Sequence, residues 1–209
     1  MTRVKICGLT NYADALAAIA LGAHALGFNL YPGSKRFIEL EREAAWIAAL
    51  PPFVARVAVL VNAPLPDALR IAAHPAIDLV QFHGDEDAEY CARFAEAGRP
   101  FIKALRLRDE ADIAGAARYS TPHLLLDAHA GAAYGGTGTL IDLGLAAECV
   151  RRHPALHILL AGGLRPENVA DAVRAVRPFA VDVASGVEAE PGRKSAERMA
   201  AFLAAVAEG

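Results

Sequence analysis

Six ionisable side chains stand inside short apolar runs of this chain: Lys5, Cys7, His83, Lys103, Asp127 and Asp182. Groups of this kind hold and move protons, and burying them without partners is costly. A convergent set of them marks a site rather than a core. For any one member, an ion pair such as Lys5 with Asp182 would be explanation enough; for the whole ring it is not. A second set suits anions. Gly162-Gly163 and Ser185-Gly186 leave backbone N–H groups open to a phosphate, and Arg36 can take a carboxylate with two parallel hydrogen bonds. Taken alone, Gly-Gly is an ordinary tight turn and Arg36 an ordinary exposed arginine.

The elements that must position these residues follow from the apolar runs. They begin at residues 4, 25, 57, 79, 101, 124, 157 and 180, with helical stretches between them. The spacing is 21 to 23 residues except after the second and sixth runs, where it is 32 and 33. A strand, a helix and two loops need about that much chain. Asn11 or Thr10 would cap the first helix, Arg165-Pro166-Glu167 would open the seventh, and Ser195 would precede the last. The first run is followed by Cys7-Gly8-Leu9-Thr10, without the glycine-rich phosphate loop of an open doubly wound sheet. The expected fold is therefore α/β, a (β/α)8 TIM barrel forming a single domain over residues 1–209.

Alternation along each strand then sorts the side chains. With apolar faces turned to the helices, Lys5, Cys7, Gln81, His83, Lys103, Asp127 and Asp182 would face the barrel interior. Cys7, His83 and Asp127 are the last or nearly last residues of their runs and so belong at the C-terminal mouth, where barrel active sites sit. The runs ending at Gly163 and Gly186 would bring their small residues to the same mouth. The two long loops would overhang it; Arg36 lies in the first, and Gly135 and Gly136 in the second are candidates for substrate contact.

With 209 residues, 55% of them hydrophobic, the chain has enough material for one sizeable core. A net charge of -3 gives no reason to expect nucleic acid or an anionic membrane as a partner. No apolar run approaches a membrane span and the first residues do not read as a signal peptide, so a cytoplasmic location is expected. The three cysteines form no CxxC pair; Cys91 and Cys149 fall in helices as packing thiols, and Trp46 as a packing ring.

In order along the chain, Lys5-Ile6-Cys7-Gly8-Leu9-Thr10, Tyr31-Pro32 with Ser34 and Arg36, Val80-Gln81-Phe82-His83-Gly84-Asp85, Leu124-Leu125-Leu126-Asp127, Gly135-Gly136-Thr137-Gly138, Leu160-Ala161-Gly162-Gly163-Leu164 and Val181-Asp182-Val183 with Ser185-Gly186-Val187-Glu188 resemble the phosphoribosylanthranilate isomerase family of tryptophan biosynthesis. The resemblance spans nearly the whole chain. It implies an Amadori rearrangement of N-(5-phosphoribosyl)anthranilate without metal or organic cofactor, on a phosphorylated small molecule, by a monomer or weak homodimer. It also implies Cys7 as general base, Asp127 as general acid, Arg36 on the anthranilate carboxylate, and phosphate at the Gly163 and Ser185-Gly186 ends. The cation of Lys5 would favour the Cys7 thiolate, and an apolar mouth would keep Asp127 protonated. His83 and Asp182 would either orient the substrate or support Lys5 and Lys103. Two positions depart from the family pattern: Lys35 stands where a proline is common and Ala184 where a serine is common.

Other readings are weaker. The histidine-pathway aminoaldose isomerase resembles an Asp–Asp pair, against which Cys7 argues. A metal-dependent epimerase would need clustered ligands, and only His83 is in place. A non-catalytic phosphoribosyl-binding barrel would have lost Cys7 or Asp127, and a thiol sensor on Cys7 has no resolving cysteine nearby.

Overall fold

A computed structural model describes residues 1–128 and 140–209. Eight parallel strands close into a barrel in sequence order: β1 (Arg3–Cys7), β2 (Ala25–Asn29), β3 (Ala55–Leu60), β4 (Leu79–Phe82), β5 (Phe101–Leu107), β6 (His123–Ala128), β7 (His157–Leu160) and β8 (Ala180–Val183). The helices between and after them are α1 (Tyr12–Ala20), α2 (Leu40–Ala48), α3 (Leu65–Ala72), α4 (Ala88–Ala95), α5 (Glu110–Ala114), α6 (Leu143–Arg152), α7 (Val169–Val176) and α8 (Ala196–Glu208). The seam is closed by β1 on β8, with Lys5 opposite Asp182. The (β/α)8 expectation holds, and every strand starts at the expected residue or one or two before it.

Three boundaries differ by three residues or more. Strand β7 stops at Leu160 because Gly162 and Gly163 take left-handed backbone (φ 86° and 66°), which no strand can continue. Strand β8 stops at Val183, and Ser185–Val187 winds into a 3-10 turn. Arg165-Pro166-Glu167 forms the turn before α7 rather than its first turn. There the Arg165 N–H donates to Asn168 Oδ1 at 2.9 Å, and Asn168 Nδ2 reaches back to the Gly163 carbonyl at 3.0 Å. Asn11 and Ser195 cap α1 and α8 as expected, accepting from the N–H groups of Asp14 and Arg198.

Inside the barrel, Val57, Ile102, Leu125, Leu159 and Ala180 form one buried apolar cluster. Outside, the other strand face packs on the helices; Phe82 meets Tyr90, Phe94 and Phe101 at centroid distances of 4.9 to 5.4 Å. Trp46 packs edge-on to Phe28 at 5.6 Å, and Cys91 and Cys149 are buried on α4 and α6.

One facing is reversed. Lys103 aligns with Phe82 and Leu124, both on the outer face, so it leaves the barrel while Ile102 and Ala104 fill the interior. Its Nζ donates to Glu86 Oε2 and to the Gly84 carbonyl, each at 2.8 Å. Branched and small apolar residues are what a barrel interior at this level takes. The lysine instead finds its carboxylate in the loop between β4 and α4.

Candidate active site

The C-terminal mouth opens into a cavity of about 740 Å³, lined by Cys7, Arg36, His83, Asp127, Gly162, Gly163, Asp182 and Ser185 among others. The strands bring these residues together from both halves of the chain. From β1, Lys5 and Cys7 project inward one above the other. Lys5 is 1% exposed, and its Nζ donates to Asp182 Oδ1 at 2.7 Å. Asp182 therefore supports Lys5, one of the two roles considered for it.

The electrostatics of this pair run against one expectation. Burial pushes the Cys7 thiol above its ordinary value; Lys5 pulls it down, Asp182 adds to the rise, and the net direction is up. Burial acts to lower Lys5, but the Asp182 carboxylate 2.7 Å away leads the opposing causes and the net direction is up. The lysine is largely committed to Asp182, so the resting site keeps Cys7 protonated.

Across the mouth, His83 follows β4 and Asp127 lies near the end of β6. His83 Nε2 is 3.0 Å from Asp127 Oδ2, His83 Nδ1 is 2.8 Å from Gln81 Nε2, and Asp127 Oδ1 accepts from the Ala128 N–H at 2.9 Å. With the Gln81 amide donating, His83 carries its proton on Nε2 and presents it to Asp127. His83 thus serves Asp127, not a lysine. Gln81 Oε1 is buried without a hydrogen-bond partner among the described residues.

Arg36 reaches the mouth from the loop after β2, passing over Gly8. That glycine has φ +75°, and a Cβ there would collide with Arg36 Cδ. The guanidinium does grip a carboxylate bidentately, but an internal one: Nε to Glu188 Oε1 at 2.7 Å and Nη2 to Glu188 Oε2 at 2.6 Å. Glu188 belongs to a two-stranded ribbon after the barrel, β9 (Glu188–Glu190) and β10 (Arg193–Lys194). Lys194 Nζ closes the group, donating to Glu188 Oε1 at 2.9 Å and to the Ala184 carbonyl at 3.0 Å.

Sequence reasoning assigned no role to Glu188 or Lys194. Pro191-Gly192 marks the ribbon's turn, but nothing local ties it to Arg36. At the end expected from the sequence to take phosphate, Gly162, Gly163 and Ser185 line the cavity. Gly186 sits behind them, pressed on the Leu164 carbonyl where a Cβ has no room. Ala184, in place of a serine, offers the site no hydroxyl but gives its carbonyl to Lys194. Gly135 and Gly136 lie outside the described residues. Among the described residues, no group of three or more His, Cys, Asp or Glu is placed to hold a metal ion, and no helix is long and apolar enough to cross a membrane.

A closed (β/α)8 barrel with ionisable groups from several strand ends converging on one mouth defines a barrel enzyme. The chain matches the family model for N-(5'phosphoribosyl)anthranilate (PRA) isomerase over residues 4–205. It is 45% identical over 203 residues to the N-(5'-phosphoribosyl)anthranilate isomerase of Geobacter metallireducens, covering 97% of this chain and 98% of that one. Among solved structures, the phosphoribosyl anthranilate isomerase of Thermotoga maritima superposes with a TM-score of 0.90 at 42% identity over 99% of both chains. A structure of such an isomerase holding reduced 1-(o-carboxyphenylamino)-1-deoxyribulose 5-phosphate superposes with a TM-score of 0.85 at 39% identity, again over 99% of both. The chain belongs to the N-(5'-phosphoribosyl)anthranilate isomerase family, enzymes of tryptophan biosynthesis.

Proposed function

We propose that this enzyme converts N-(5-phosphoribosyl)anthranilate to 1-(2-carboxyphenylamino)-1-deoxyribulose 5-phosphate by an Amadori rearrangement, with Asp127 as general acid and Cys7 as general base. The observation that carries this reading is the placement of Cys7 and Asp127, from β1 and β6, on one cavity. Between them the cavity takes the sugar; Arg36 takes the anthranilate carboxylate, and the Gly162-Gly163 and Ser185-Gly186 ends take the phosphate.

Asp127 gives its proton to the furanose oxygen, the C1–O bond breaks, and the nitrogen lone pair forms the C1=N iminium. Cys7, as thiolate, removes the proton from C2, and the electron pair moves to give the enolamine. A proton at C1 and loss of the O2 proton complete the aminoketose. His83 is suited to hold Asp127 in either state. A half-turn of the Gln81 amide puts Oε1 against His83 Nδ1–H, and Nε2 then accepts from a protonated Asp127. The resting thiol is held up by burial, and the iminium cation formed beside it acts on Cys7 in the same sense as Lys5 does.

The test is the fluorescence decay of freshly generated substrate with wild type, Cys7→Ser and Asp127→Asn. Each variant, with fold confirmed by circular dichroism, is expected to lose on the order of 10²–10⁴ in kcat. Full activity in Asp127→Asn would move the acid elsewhere, and no turnover by wild type would sink the reading as a whole.

A further inference from the structure

Outside the proposed acid–base pair, Arg36, Glu188 and Lys194 form a densely hydrogen-bonded polar trio at the mouth. Glu188 is 5% exposed, and the Lys194 side chain is fully buried. Glu188 Oε1 receives Arg36 Nε, Lys194 Nζ and, at 3.4 Å, the Gly192 N–H. The Lys194 backbone is tied in turn to Asp14 Oδ2 at 2.7 Å.

A guanidinium has two forks, one along its side (Nε and Nη2) and one at its end (Nη1 and Nη2). Glu188 occupies the side fork. Nη1 has no hydrogen-bond partner among the described residues, so the end fork is left to the cavity that Arg36 lines. Charge completes the logic. Arg36 with Glu188 alone is a neutral pair, with little net attraction for an anion. Burial pulls the Lys194 ammonium below its ordinary range and Glu188 works against that; with Nζ donating to Glu188 Oε1 and to the Ala184 carbonyl, a charged Lys194 brings the trio to one positive charge. Burying a lysine fully is expensive, and placing it there solely to satisfy a glutamate already gripped by an arginine would be poor design.

We propose that Glu188 and Lys194 are positioning residues for the substrate's carboxylate: Glu188 pins Arg36 by its side fork so the end fork faces the cavity, and Lys194 keeps the trio cationic. This rests on the reading of Arg36 as the carboxylate-binding residue. The measured quantity is a discrimination ratio. It compares affinity for reduced 1-(o-carboxyphenylamino)-1-deoxyribulose 5-phosphate with affinity for its phenylamino counterpart lacking the carboxylate, both by titration calorimetry.

Wild type is expected to favour the carboxylate by about 10- to 100-fold, the range of a charge-assisted fork. Lys194→Met is expected to cut the ratio at least about fivefold while affinity for the carboxylate-free probe moves less than about twofold. Adding Glu188→Gln returns the trio to one positive charge and is expected to recover part of the loss. A merely structural role would lower both affinities together. If Lys194→Met does not fold, the step from Glu188→Gln to the double variant removes the same charge and is expected to lower the ratio likewise. A ratio lost in Arg36→Met but unchanged by removing Lys194 overturns this inference alone. No discrimination by wild type, or discrimination kept in Arg36→Met, overturns the reading of Arg36 and this inference with it.

Discussion

Strands β1 and β5 each carry one buried lysine between apolar neighbours, Val4-Lys5-Ile6 and Ile102-Lys103-Ala104, and send it to opposite sides of the barrel wall. The two are almost equally buried, at 1% and 2% exposure. Each is paired with a carboxylate, Lys5 with Asp182 at 2.7 Å and Lys103 with Glu86 at 2.8 Å. What differs is the neighbourhood. Lys5 acts on the Cys7 thiol within a cavity open to substrate. Lys103 clamps a loop, through Glu86 and the Gly84 carbonyl. A buried lysine is thus evidence of a partner, and only its surroundings decide whether it bears on chemistry or on architecture.

The sharpest way to break the comparison is at Lys5. Lys5→Met leaves the Asp182 carboxylate buried without its cation, at a cost of about 3–5 kcal/mol in stability. It also removes the nearest cation from Cys7, so the thiol should ionise at higher pH still, and kcat should fall. The check is ultraviolet titration of the Cys7 thiolate, taken as the difference from Cys7→Ser, beside the rate. An unchanged thiol titration would strip Lys5 of its electrostatic part in the reaction. Lys103→Met should cost a similar ~3–5 kcal/mol in denaturant unfolding, since Glu86 then loses its buried cation. Yet kcat should stay within a few-fold, because the pair lies outside the cavity that holds Cys7. A kcat collapse in folded Lys103→Met would erase the distinction between the two lysines.

The same pair of strands shows how far the sequence could be read. In β1 the alternation of Val4 and Ile6 with Lys5 and Cys7 is unambiguous, and it places both polar side chains inside the barrel. In β5, Ile102 and Ala104 suit a barrel interior as well as Leu105 suits the helix layer, so alternation alone cannot choose a face for Lys103. The choice is made by its alignment with Phe82 and by a glutamate 17 residues earlier, both tertiary facts. The positions of Cys7, His83 and Asp127 at the mouth and the Gly162-Gly163 turn were legible because strand ends fix them locally, and Asp182 followed from alternation; Arg36 stood out only through the family resemblance. Glu188 and Lys194 were not. Their meaning depends on Arg36, 152 residues from Glu188, and on a ribbon that lies outside the βα repeat.

The thiols on the two sides of the wall sharpen the contrast at its smallest scale. Cys7, inside, feels burial, two lysines and an aspartate; Cys149, outside on α6, feels burial alone and is pushed from 9.0 up to about 11. Unfolded, Cys149 loses its proton near its ordinary value, while the folded thiol keeps it about two units longer. Between those values the unfolded state holds fewer protons than the native state, so stability must fall as pH rises, and below them Cys149 adds no slope. The loss is on the order of 1 kcal/mol, or ~2–4 °C in Tm for a chain of this length. Other groups titrate in the same range, so the measurement is Tm against pH for wild type minus the same curve for Cys149→Ala. The difference should be flat up to about pH 9 and then slope downward toward pH 11. A flat difference throughout would mean that Cys149 ionises alike in both states and that the outer layer is wetter than its packing implies.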